Sequence, residues 1–189
     1  MKKSITILLL LFLVISAQAQ GIQRERKTVQ IMPSQTFYLN GGNRAVFGGK
    51  SRAIFNIVLP PNTIEWYYSV TVAKGKNSDV NIGLLGQLTK LYDPSGITAI
   101  ATNLILTPSG TGMCDIFLMD TPNSTNFINK TDKWSGGYRY YGNESRENFQ
   151  NGTIQIKSIR AGNWYLGFKN PSATQGVSIT FEAVAIVLE

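Results

Sequence analysis

Apolar and polar positions along this chain fall mostly into short runs rich in β-branched and aromatic residues. Glycine, proline and asparagine bound these runs, as they bound strands in a sheet. The pattern predicts strands near 28–32, 36–40, 44–47, 52–59 and 63–73. Pro60-Pro61-Asn62 breaks the ladder between the last two, because proline donates no backbone hydrogen bond. In Ala53-Ile54-Phe55-Asn56-Ile57-Val58-Leu59 the apolar positions alternate only in part, which suits a strand covered on both faces.

The middle of the chain changes period. Leu84, Leu85, Leu88 and Leu91 recur at helical spacing, and Tyr92 extends the stripe. Asp93-Pro94-Ser95-Gly96 supplies a stop, after which Ile97, Ile100, Ala101, Leu104 and Ile105 repeat the spacing. Two short amphipathic helices over 84–105 are expected, forming a lid on one side of a sheet. Strands then resume near 114–119, 152–159, 163–168 and 176–188, with a polar loop from 120 to about 151. The last run sets Ile179, Phe181, Ala183 and Ala185 against Ser178, Thr180 and Glu182 before turning wholly apolar. Eight to ten strands with one helical excursion predict a mainly β chain, an antiparallel β-sandwich of jelly-roll type.

The first residues follow another pattern. Lys2 and Lys3 precede an apolar run from Ile5 to Ile15, and Ala17-Gln18-Ala19 places small residues where a signal peptidase cuts. The run is about 11 residues, short of the roughly 20 that a spanning helix needs. Residues 1–19 therefore read as a secretory signal peptide without a lipobox, 20–27 as a flexible arm and 28–189 as one domain. The expected location is secreted or periplasmic, in a bacterial cell, with no transmembrane segment in the mature chain.

Charge and composition narrow the chemistry. The chain carries 18 Lys+Arg against 11 Asp+Glu, and losing Lys2 and Lys3 takes the net charge from +7 to +5. The cations sit mostly at turns: Arg24, Arg26 and Lys27 on the arm, Arg44, Lys50 and Arg52 on a glycine-rich hairpin, Lys74 and Lys76 on one turn. Nucleic-acid binding would need a continuous basic stripe with aromatic platforms, so no nucleic acid is expected. The chain has no His, which excludes imidazole-dependent triads and His-ligated metal sites. Its one Cys excludes an intrachain disulfide; Cys114, inside an apolar run, reads as a buried small hydrophobe.

The segment Gly162-Asn163-Trp164-Tyr165-Leu166-Gly167-Phe168-Lys169-Asn170, followed by Val177-Ser178-Ile179-Thr180-Phe181-Glu182-Ala183, resembles the last two strands of two module types. These are the secreted bacterial pre-peptidase C-terminal module and the Golgi-dynamics (GOLD) sandwich. Cys114-Asp115-Ile116-Phe117-Leu118-Met119-Asp120 resembles the strand that precedes them in the bacterial module. The resemblance covers mainly residues 113–187. It implies a jelly-roll sandwich serving as an accessory or interaction domain without catalysis of its own.

The most unusual stretch is Trp134-Ser135-Gly136-Gly137-Tyr138-Arg139-Tyr140-Tyr141-Gly142-Asn143-Glu144. Aromatic faces stack on sugar rings, and Tyr, Trp and Arg dominate protein contacts. Trp134, Tyr138, Arg139, Tyr140 and Tyr141 are therefore the candidate contact residues, for a protein or glycan partner at the cell envelope. The bland alternative is a loop tucking its rings onto the sandwich. Trp66-Tyr67-Tyr68 and Trp164-Tyr165 read as core.

Asp115, Asp120, Asp132, Glu144 and Glu147 are the carboxylates that a small glycosidase would have to use in pairs. Asp120, Asp132 and nearby carbonyls would also be the oxygens of a calcium site, but no D-x-D-x-D-G loop is present. No cofactor, no metal and no catalytic residue is expected. The leading reading is a non-enzymatic binding module. The alternative is a carbohydrate-active protein, either a carbohydrate-binding module or a carboxylate-dependent glycosidase.

Overall fold

The computed structural model describes residues 24–76, 80–92, 105–131 and 137–189. Their eight strands are β1 (Arg26–Leu39), β2 (Arg52–Val58), β3 (Thr63–Lys74), β4 (Cys114–Met119), β5 (Arg146–Phe149), β6 (Asn151–Ile156), β7 (Asn163–Lys169) and β8 (Val177–Leu188). One antiparallel sheet runs β1-β8-β3-β6 and the other β2-β7-β4-β5. First pairs with last, second with seventh, third with sixth and fourth with fifth. That nesting is a long hairpin rolled over itself, the jelly roll expected from the strand pattern.

The core lies between the sheets. Phe37, Phe55, Phe168 and Phe181 meet there with ring centroids 4.6–6.0 Å apart, in tilted and edge-on contacts. Trp66 is fully buried, and its Nε1 donates to the Ile159 carbonyl at 3.1 Å. Cys114 is buried in the same core. Burial pushes its thiol well above the usual range, which keeps it inert.

Each sheet is also covered on its outer face. The stripe Leu84, Leu88 and Leu91 forms α2 (Leu84–Leu91), which packs with Ile82 on Tyr67, Val184 and Ile186. Residues 105–111 continue that cover: Thr71 Oγ1 donates to the Pro108 carbonyl, and Gln87 holds both the N–H and the carbonyl of Leu106. This is why every residue of β8 up to Val187 is buried. The first expected helix is therefore present. The second lies over 93–104, outside the described residues, up to Ile105.

Four sequence expectations are corrected. The runs 28–32 and 36–40 form one strand, β1, and not two. Pro33 is accommodated because β1 is an edge strand and the register with β8 shifts between Met32 and Gln35. Arg26 and Lys27, assigned to the flexible arm, begin β1 opposite Leu188 and Val187. The run 44–47 is not a strand: Gly42–Val46 is a short helix, α1, closed by Ala45 N–H on the Gly41 carbonyl. The polar loop 120–151 holds α3 (Thr121–Ile128), a 3-10 turn at Gly142–Glu144 and β5. Asp120 caps α3, accepting from the Asn123 N–H at 3.0 Å, and Pro122 sits in its first turn.

Candidate functional site

The site forms on the outer face of the β2-β7-β4-β5 sheet. Alternation along β4 sends Cys114, Ile116 and Leu118 into the core and leaves Phe117 and Met119 on the outside. Gly167 of β7 lies among them. A Cβ there would come 2.8 Å from the Phe127 ring and closer still to Met119 Cε. The bare backbone thus makes the seat into which α3 drops Phe127.

Tyr138 completes this small cluster, edge-on to Phe127 at 5.1 Å and to Phe117 at 5.7 Å. Arg52 of β2 lies over both rings, 5.0 Å from the Phe127 centroid and 5.7 Å from that of Tyr138. It also donates to the Phe127 carbonyl at 2.6 Å.

The chain then runs along the sheet to its edge. Arg139 N–H donates to Asn123 Oδ1 at 2.6 Å, tying the loop to α3, and its side chain is exposed. Tyr140 leans on Phe117 at 4.6 Å, and its hydroxyl donates to Glu147 Oε1 at 3.0 Å. That hydrogen bond, with a smaller effect of burial, raises the Tyr140 phenol above its ordinary range. Tyr141 meets the Trp164 ring edge-on at 5.1 Å, while its N–H donates to the Leu118 carbonyl. Tyr140 is 41% exposed and Tyr141 42%.

The five predicted contact residues thus divide. Tyr140 and Tyr141 are both partly exposed but lean opposite ways, Tyr140 on Phe117 of the outer face and Tyr141 on Trp164, whose ring packs on the core between the sheets. Arg139 stands beside them, and Tyr138 is half-buried as a support. Trp134 lies outside the described residues. Sequence reasoning missed Arg52 as the neighbour of Tyr138 and Trp164 as that of Tyr141. Arg52 sits among turn cations in the sequence, but as the first residue of a strand it has a fixed face.

The carboxylates proposed as acid–base groups have other tasks. Asp115 is buried; Lys169 Nζ lies 3.2 Å from one oxygen and the Asn148 N–H 3.0 Å from the other. Asp120 caps α3, Glu144 accepts from Ser158 Oγ at 2.5 Å, and Glu147 accepts from Tyr140. Asp132 lies outside the described residues. Among the described residues, no three His, Cys, Asp or Glu side chains are grouped to hold a metal ion.

Two buried carboxylates escaped the sequence reading, both on the opposite sheet under α2. Glu182 accepts from the N–H groups of Leu84 and Leu85 at 2.9 and 3.1 Å, and from Gln30 Nε2. Glu65 accepts from the Tyr92 hydroxyl and from Gln155 Nε2, each at 2.6 Å, and the Tyr67 and Tyr92 hydroxyls are 2.7 Å apart. Glu182 was visible as the one charged residue of a strand otherwise apolar but for Ser178 and Thr180. Its role as a helix anchor needed the fold. No protein-family model matches this chain, and no curated protein sequence matches it.

Proposed function

We propose that this chain is a non-enzymatic β-sandwich binding module, secreted or periplasmic, that contacts a protein or glycan at the cell envelope. The observation that carries the reading is the Tyr140–Tyr141 pair, two partly exposed rings at consecutive positions of one loop. Each ring keeps about two fifths of its surface in solvent while one neighbour braces it, Phe117 for Tyr140 and Trp164 for Tyr141. A ring held in place before binding loses little freedom on binding, which is how a small aromatic surface acquires affinity. Arg139, exposed beside the pair, adds a planar donor. Trp134 belongs to the same proposal through its place four residues before Tyr138. The signal-peptide pattern supports the location, and the resemblance to pre-peptidase C-terminal and GOLD-like modules supports an accessory role.

A glycan ligand is the second reading. Glu147 favours it, because its carboxylate stands at the Tyr140 hydroxyl, where it can accept from sugar hydroxyls beside a stacking ring. A glycosidase gains no support from the described carboxylates, each of which already has a structural partner. Glycan arrays and pull-downs from envelope extracts, run with the wild type, Tyr140→Ala and Tyr141→Ala, separate protein from sugar. Interactions that all survive both substitutions would remove the pair from the proposal.

A further inference from the structure

A second surface lies at one end of the sandwich, where loops 40–51, 74–76, 108–113 and 169–176 meet. Gly42 N–H donates to the Ser172 carbonyl at 2.9 Å and Asn43 N–H to that of Ala173 at 2.8 Å. Gly75 N–H donates to the Gly176 carbonyl at 2.8 Å, and Lys74 N–H to Thr111 Oγ1 at 3.1 Å. From this base α1 and its exit display two apolar side chains, Val46 at 81% exposure and Phe47 at 90%.

The display is braced. Asn40 N–H donates to the Lys50 carbonyl at 2.7 Å, and Gly49 N–H to that of Arg44 at 3.0 Å. Gly41 packs so tightly that a Cβ would lie 2.7 Å from the Thr174 backbone. Gly48, at φ +91°, turns the chain back directly after Phe47. A braced loop that holds a Phe in water meets a cost that packing the ring inward would remove.

The described charges around the tip are mostly positive. Arg44, Lys50, Lys74 and Lys76 belong to these loops, and among their described residues no Asp or Glu does; Asp79, three residues beyond Lys76, lies outside the described residues. Lys169 is engaged with Asp115, which is buried. Met113, also at this end, is partly exposed.

We infer that this end docks on an anionic lipid surface, with Val46 and Phe47 entering the boundary between headgroups and acyl chains and Arg44, Lys50, Lys74 and Lys76 meeting the phosphates. Val46 and Phe47 stand almost wholly clear of the fold, so they suit a soft phase that closes around them; a folded protein would need a matching cavity. An anionic polysaccharide would satisfy the cations and leave the Phe in water. Only a lipid interface rewards both features. This docking is independent of the Tyr140–Tyr141 pair.

The test is flotation of the purified chain with vesicles of phosphatidylcholine alone or mixed equally with phosphatidylglycerol. At about 100 mM salt the chain should float with the anionic vesicles only, and added salt should release it. Phe47→Ser should lower binding roughly tenfold with an unchanged melting temperature, because the ring touches little of the fold. Tyr140→Ala should leave binding intact. Phe47→Trp gives a second readout: its emission should shift to the blue on anionic vesicles and be quenched by brominated lipid. Failure to float, equal flotation with phosphatidylcholine, or indifference to Phe47→Ser would overturn the inference. So would retention on an anionic polysaccharide without vesicle binding.

Discussion

Tyr67, Tyr68 and Tyr92 hold their phenols away from water, and each is pushed above its ordinary pKa chiefly by that burial. For Tyr92 the value reaches about 12, helped by its hydrogen bond to Glu65. The unfolded phenol ionises near about 10. A raised folded pKa means the neutral form is favoured by folding, so this stabilisation is complete below pH 10. It is lost as pH climbs from 10 through 12. Melting temperature should therefore fall steeply in that window, and the 295 nm absorbance of these three rings should rise with unfolding. Ionisation of all eight tyrosines before any loss of fold would contradict the burial. Gly167 gives a second prediction at this scale. Gly167→Ala sets a methyl against Phe127 and Met119 and should cost about 1–3 kcal/mol in urea unfolding, as overpacking does. A neutral result would mean that α3 rides freely on the sheet.

At the scale of elements, Glu182 joins a strand to a helix. Its carboxylate takes the first two N–H groups of α2, where the helix dipole favours a negative charge. Glu182→Ala leaves those donors buried without a partner and should cost about 1–3 kcal/mol, measured by chemical denaturation. Glu182→Gln keeps an acceptor and should cost less. Strands were legible where period and boundaries agreed: β4 spans the expected 114–119, and β2, β3, β7 and β8 fall within a residue of expectation at each end. Pro33 misled because proline reads as a break, while an edge strand with a bulge absorbs it. The β-branched and aromatic run at 44–47 misled because its glycine neighbours dock on residues 172 and 173 and leave no strand beside it. The α3 helix was overlooked for its polar face, although Asp120 followed by Thr121-Pro122 is a helix start.

At the scale of the molecule, the nesting of first strand with last explains how a domain without disulfides closes its core. The two sheets bury the phenylalanine cluster, and α2 and α3 each seal an outer face. The candidate site was half legible. Composition marked the aromatic loop, but only the fold separates Tyr138, which supports, from Tyr140 and Tyr141, which remain open. Chain order could not reveal that β4 and β7 brace those rings from opposite faces of the sheet, through Phe117 and Trp164. The central claim is that these two braced rings make the contact. The direct measurement is affinity for the partner or glycan captured by the wild type, compared with the Tyr140→Ala/Tyr141→Ala double variant at matched melting temperature. The account predicts a loss of roughly tenfold or more, as for central aromatic contacts. Equal affinity in the two proteins, or no interaction by the wild type with any envelope protein or glycan, would contradict it.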